Sequence, residues 1–132
     1  MRMLYTMMRV SDLERALAFY TGPMQMRLIR QEDYPEGRFT LAFLGFEQPG
    51  ESLIELTYNW DSGDYSLGTA WGHITFGVPD VAATCARLAA MGVPILRQAG
   101  PMTHAAKGQS HREIIAFVED PDGHRLELVQ TA

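Results

Sequence analysis

The chain has 132 residues, 46% of them hydrophobic and 20% charged, with a formal net charge of −5. That is enough for one domain with a real core, or for two small halves sharing one, and without a Lys/Arg cluster the acidic balance argues against nucleic acid or an anionic membrane surface as the main partner. No apolar run approaches the ~18 residues that span a bilayer. The N-terminus lacks a signal peptide's apolar core and the single Cys85 forms no internal disulfide, so a cytoplasmic protein is expected.

Residues 3–10 alternate as a strand, with Leu4, Thr6, Met8 and Val10 on one face and Met3, Tyr5, Met7 and Arg9 on the other. Ser11-Asp12-Leu13-Glu14 fits a capping box with a serine cap, and Leu13, Ala16, Leu17 and Tyr20 follow at helical spacing, predicting a helix over 12–20 that Gly22-Pro23 ends. Three strands are expected near 26–32, 38–45 and 52–58, separated by turns rich in Gly, Pro, Glu and Asp.

The second half repeats that order. A strand over 71–78 places Ile74, Phe76 and Val78 on one face and Trp71, His73 and Thr75 on the other. Pro79-Asp80 then starts a helix with the apolar stripe Val81, Cys85 and Leu88, which puts Cys85 in the core, and Gly92 caps its end. Strands follow near 93–98, 113–118 and 125–130. The last two form a hairpin across Asp120-Pro121-Asp122-Gly123.

Each half therefore reads βαβββ. The fold class is α+β: two modules, 1–60 and 70–132, joined by a polar linker at 61–69, forming a curved, half-open, eight-stranded sheet with helices on its outer face. Superposing the halves pairs Tyr5 with His73, Val10 with Val78, Asp12 with Asp80 and Leu17 with Cys85, and on the final strands Glu55 with Glu127. A glutamate flanked by Ile54 and Leu56, or by Leu126 and Leu128, faces either solvent or a polar site. The repeat favours the site, because it sets Tyr5, Glu55, His73 and Glu127 at equivalent positions away from the helix-packing side. One His and two Glu lining a cavity suit a divalent cation such as Ni²⁺, Zn²⁺ or Co²⁺.

Five segments carry a resemblance over essentially the whole chain: Thr6-Met7-Met8-Arg9-Val10, Leu17-Ala18-Phe19-Tyr20-Thr21, Ile54-Glu55-Leu56-Thr57-Tyr58-Asn59-Trp60, Leu67-Gly68-Thr69-Ala70-Trp71-Gly72-His73-Ile74, and Ala116-Phe117-Val118-Glu119-Asp120-Pro121-Asp122-Gly123. With them the chain resembles the bacterial glyoxalase I (lactoylglutathione lyase) family of the vicinal oxygen chelate superfamily. The resemblance implies isomerisation of the methylglyoxal–glutathione hemithioacetal to S-lactoylglutathione through an enediolate. It also implies one divalent metal per site and a homodimer whose sites are built from modules of two subunits. The short connection between Trp60 and His73 is similar to the compact type often activated by Ni²⁺. By position, Glu55, His73 and Glu127 match metal ligands, Glu127 also matches the proton-moving carboxylate, and Arg9 and Asn59 match positions that hold glutathione.

Three departures accompany the match. The family's first ligand is His or Gln, whereas here it is Tyr5, which ligates as phenolate, lies against the site, or leaves three protein ligands. The helix end Thr21-Gly22-Pro23-Met24-Gln25-Met26 differs from the usual Leu-Gly-Met. The segment from Pro101 to Arg112 is longer than in the short bacterial enzymes. It carries Lys107, a cation for the glycine carboxylate of glutathione, and His104 and His111 as other sources of an imidazole, while His124 is expected to be exposed. Alongside the lyase stands a weakly active or non-catalytic small-molecule-binding member of the same superfamily.

Overall fold

The computed structural model describes residues 1–61 and 63–131; Ser62, in the expected linker, and Ala132, at the end of the second module, lie outside them. The elements are β1 (Tyr5–Arg9), α1 (Leu13–Thr21), β2 (Arg27–Tyr34), β3 (Phe39–Gly45), β4 (Leu53–Asn59), β5 (His73–Val78), α2 (Val81–Ala90), β6 (Ile95–Pro101), β7 (Ile114–Glu119) and β8 (Arg125–Gln130). This is the βαβββ order twice over. The chain divides into two compact units, Met1–Ser66 and Leu67–Ala132. No helix among the described residues is long and apolar enough to cross a membrane.

Each unit holds one four-stranded sheet, in the order β1-β4-β3-β2 in the first and β5-β8-β7-β6 in the second. In each, the strand before the helix pairs in parallel with the last strand of the unit, and the other pairings are antiparallel. The registers correspond: Met7 lies opposite Glu55 and Thr75 opposite Glu127.

Both helices start alike. Asp12 and Asp80, extended at φ −141° and −144°, accept from the backbone N–H of Arg15 and Ala83 at 3.0 and 2.8 Å. The cap of α1 is thus Asp12 rather than the expected Ser11. The Val10 N–H still bonds to the Thr57 carbonyl at 3.0 Å, so the sheet pairing runs on to Val10 and the helix begins one residue later than a serine cap would allow. At its end Gly22 is required sterically, since a Cβ there would stand 2.6 Å from the Ala18 carbonyl oxygen.

In the first unit Ala16, Phe19 and Tyr20 of α1 are buried, as are Met8, Ala42, Leu44, Ile54 and Leu56 of the strands and Val10 just past β1. Tertiary packing thus takes Phe19 into the core, where helical spacing pointed to Leu17, which is half-buried. In the second unit the expected stripe Val81, Cys85 and Leu88 is buried with Ala116, Val118, Leu126 and Leu128. Burial also pushes the Cys85 thiol above its ordinary range. With one face of each sheet spent on the core, alternation leaves the other for chemistry.

Candidate active site

On the first sheet Tyr5, Met7 and Arg9 of β1 share a face with Glu55 and Asn59 of β4, and with Phe39 and Phe43 of β3. Glu55 is half-buried, and its Oε2 accepts from the Thr57 hydroxyl at 3.3 Å. Asn59 Nδ2 donates to the Tyr65 hydroxyl at 3.1 Å, which leaves the amide oxygen as an acceptor. Arg9 is exposed.

Tyr5 has a partner that alternation does not reveal. Its hydroxyl accepts from Arg30 Nη2 at 2.8 Å, and its ring lies 4.8 Å from that of Phe43. The Arg30 guanidinium sits 3.8 Å over the Phe43 ring and 3.6 Å from Glu32. Phe43 is only 2% exposed, with the Tyr5 ring and the Arg30 guanidinium lying against it. The bond to Tyr5 is the main reason Arg30 is held above the ordinary guanidinium value. The neighbouring Tyr34 phenol is raised chiefly by the charge of Glu32.

On the second sheet His73 and Glu127 come together. His73 Nε2 lies 3.4 Å from Glu127 Oε1, and the same oxygen accepts from the Thr75 hydroxyl at 2.8 Å. The Glu127 side chain is 15% exposed and that of His73 37%. The carboxylate is therefore held in place but reachable. The imidazole packs edge-on against Phe117 at 5.1 Å, and Arg125 lies 5.6 Å over the same ring.

Sequence reasoning missed Thr75, Arg30 and Phe43. Thr75 was within reach, since it pairs with Glu127 once β5 and β8 are taken as neighbours. Lys107, His104 and His111 all lie in the exposed stretch 102–113, off the strand faces that carry the other candidates. His124 is corrected: it is 4% exposed, not exposed as expected. It shares the parity of Leu126 and Leu128, and its burial is satisfied because Nδ1 donates to Asp120 Oδ2 at 2.8 Å.

Among the described residues no three His, Cys, Asp or Glu side chains gather closely enough to hold a metal ion; His73 and Glu127 stand together as a pair. Ligand atoms bound at ~2.1 Å from one ion stand ~3.0 Å apart at right angles and ~3.4 Å apart at the tetrahedral angle. The His73–Glu127 separation of 3.4 Å lies in that range. Each candidate carboxylate also accepts from a threonine hydroxyl, the kind of outer partner that orients metal ligands.

Residues 2–128 match the model of the Glyoxalase/Bleomycin resistance protein/Dioxygenase superfamily. The lactoylglutathione lyase of Neisseria meningitidis serogroup A is 47% identical over 131 residues, covering 98% of this chain and 91% of that one. Among solved structures, glyoxalase I of Zea mays superposes with a TM-score of 0.87 at 38% identity over 99% of this chain, which spans 45% of the maize chain. The trypanothione-dependent glyoxalase I of Leishmania major gives a TM-score of 0.81 at 39% identity, over 98% of this chain and 86% of that one. With its two βαβββ units and its carboxylate-bearing faces, the chain belongs to the Glyoxalase/Bleomycin resistance protein/Dioxygenase superfamily. Within that superfamily it falls in the glyoxalase I branch, beside the bacterial lactoylglutathione lyases.

Proposed function

We propose that the chain is a metal-dependent lactoylglutathione lyase that isomerises the methylglyoxal–glutathione hemithioacetal to S-lactoylglutathione. Identity of 47% to a bacterial lactoylglutathione lyase over nearly the whole chain supports the activity. The observation that carries the mechanism is the His73–Glu127 pair, 3.4 Å apart, with Glu127 also held by Thr75. This places the lyase reading ahead of a non-catalytic small-molecule binder, which needs no carboxylate so positioned.

Glu55, His73 and Glu127 are the residues assigned to the metal. Ni²⁺ is the ion favoured, with Zn²⁺ and Co²⁺ as alternatives, in a homodimer that brings modules of two subunits to each site. When bound, the cation supplies Lewis-acid stabilisation of negative charge developing on the substrate oxygens. Glu127 does the proton work. Its carboxylate takes the proton from the substrate C1 as a general base and returns it to the neighbouring carbon as a general acid. No atom is gained or lost, and the enzyme ends in the protonation state in which it began. Partial burial and the Thr75 bond hold one carboxylate rotamer and limit competing exchange with water.

Arg9 offers paired donors to a carboxylate of glutathione, Asn59 its amide oxygen to a peptide N–H, and Lys107 a point charge for the glycine carboxylate. A cytoplasmic setting, where glutathione is abundant and Cys85 stays reduced, completes the reading. The test is turnover of the hemithioacetal by metal-stripped protein reloaded separately with Ni²⁺, Zn²⁺ or Co²⁺. Activity with at least one metal, lost in Glu127→Ala, is expected. No rate with any metal overturns the lyase.

A further inference from the structure

The two units place the same three residue types in one row. Across the first sheet, Glu55 on β4 lies opposite Phe43 on β3, which lies opposite Arg30 on β2. Across the second, Glu127 on β8 lies opposite Phe117 on β7, which lies opposite Arg97 on β6. The aromatic residue at the start of the edge strand is Tyr5 in one and His73 in the other. Given the same frame, the side chains make different choices.

In the second unit Arg97 is consumed by backbone. Its Nη1 donates to the carbonyls of Gln98, Gly100 and Ile115 at 3.3, 3.2 and 3.0 Å, and its Nη2 to that of Pro101 at 2.7 Å. These bonds fasten the irregular stretch of β6 between Arg97 and Gly100. His73 then stands with its Nε2 beside Glu127.

In the first unit the arginine instead reaches back over the sheet. Tyr5 and Arg30 sit on opposite edge strands, three strand spacings or ~14 Å apart. Yet the Tyr5 hydroxyl accepts from Arg30 at 2.8 Å, with both groups lying on the Phe43 ring. The phenol is therefore directed across the sheet toward β2. Glu55, meanwhile, takes its hydrogen bond from Thr57. A divalent cation on the phenol oxygen would stand beside a guanidinium bonded to that same atom, a like-charge contact.

We propose that Tyr5 is not a metal ligand but the acceptor half of a Tyr5–Arg30 clasp closed over Phe43. Arg30 is then a positioning residue that fixes the tyrosine. The inference deepens the lyase reading and rests on the metal site proposed there.

The probe is Co²⁺ alone, titrated into metal-stripped protein and followed by affinity and by its visible absorption bands. Tyr5→Phe keeps the ring and deletes the oxygen. It is expected to leave Co²⁺ affinity within about twofold of the natural protein and the bands unmoved. A loss of about tenfold or more, or a shifted spectrum, overturns the proposal. The clasp is read separately in metal-free protein, by urea unfolding of Tyr5→Phe, Arg30→Met and the double variant. Non-additive shifts of the midpoint are expected, and additive ones overturn it. Glu127→Ala serves as control for the underlying reading. If natural protein takes up no Co²⁺, Ni²⁺ or Zn²⁺, the metal-dependent lyase fails, while the urea cycle still decides the clasp.

Discussion

Glu55 and Glu127 read alike in the sequence, each an acid between aliphatic neighbours, but the structure gives them different company. Glu127 shares one oxygen between Thr75 and the neighbourhood of His73, whereas Glu55 has its threonine two residues along its own strand. A base that must give back the proton it takes gains from a fixed rotamer. Thr75→Val deletes the 2.8 Å bond and leaves the β-branched shape. Turnover or metal affinity is expected to fall by about 10- to 100-fold with an unchanged circular dichroism spectrum. Unaltered kinetics would show that Thr75 does not orient the carboxylate. The acid itself was legible from alternation and from the repeat. Its threonine becomes legible only once β5 and β8 are taken as neighbours, because alternation assigns a face but says nothing of which strand lies alongside. Arg30 was harder still, as it meets Tyr5 only by reaching across the two strands between them.

At the scale of elements, the β7–β8 hairpin shows how a turn is built around one side chain. Asp120 Oδ1 accepts from the backbone N–H groups of Asp122 and His124 at 2.9 and 2.8 Å, while Oδ2 takes the His124 ring. Gly123 completes the turn at φ +86°, a region that costs an L side chain strain. Gly123→Ala is expected to lower unfolding free energy by ~1 kcal/mol, and Asp120→Ala by ~3 kcal/mol because three bonds go at once. Urea denaturation measures both, and equal losses would contradict this division. The hairpin and its turn residues were plain in the sequence. The burial of His124 was not, since histidine beside a turn is usually solvated and the Asp120 carboxylate four residues earlier makes its interior position tolerable. The cap of α1 had the same kind of ambiguity. Ser11 and Asp12 can both cap, and the reach of the β1–β4 pairing chose between them.

For the molecule as a whole, two units of one design each keep a helix-covered face and a face that carries carboxylate. If the metal binds only the folded state, it stabilises that state by mass action, by ~2.7 kcal/mol at one hundred times its dissociation constant. Chelation is therefore expected to lower the melting temperature and reloading to restore it. Glu127→Ala should show neither change, and a melting temperature indifferent to metal in the natural protein would contradict the assignment. The duplication itself was readable because Tyr5, Val10, Asp12 and Leu17 find counterparts in His73, Val78, Asp80 and Cys85. What each pair does was not, since equivalent positions meet unlike neighbours.

The matched parallel registers restrict where the chain can change length. Sliding β8 by one residue against β5 would present Leu128 opposite Thr75 and turn Glu127 toward the core, erasing the proposed proton carrier without erasing the strand. Inserted or deleted residues are thus safest where they leave both parallel pairs in phase. The stretch 102–113 meets that condition, because it joins β6 to β7 and touches neither the β1–β4 nor the β5–β8 alignment. Extra length there can reshape what the site admits while the two glutamates keep their places in the frame.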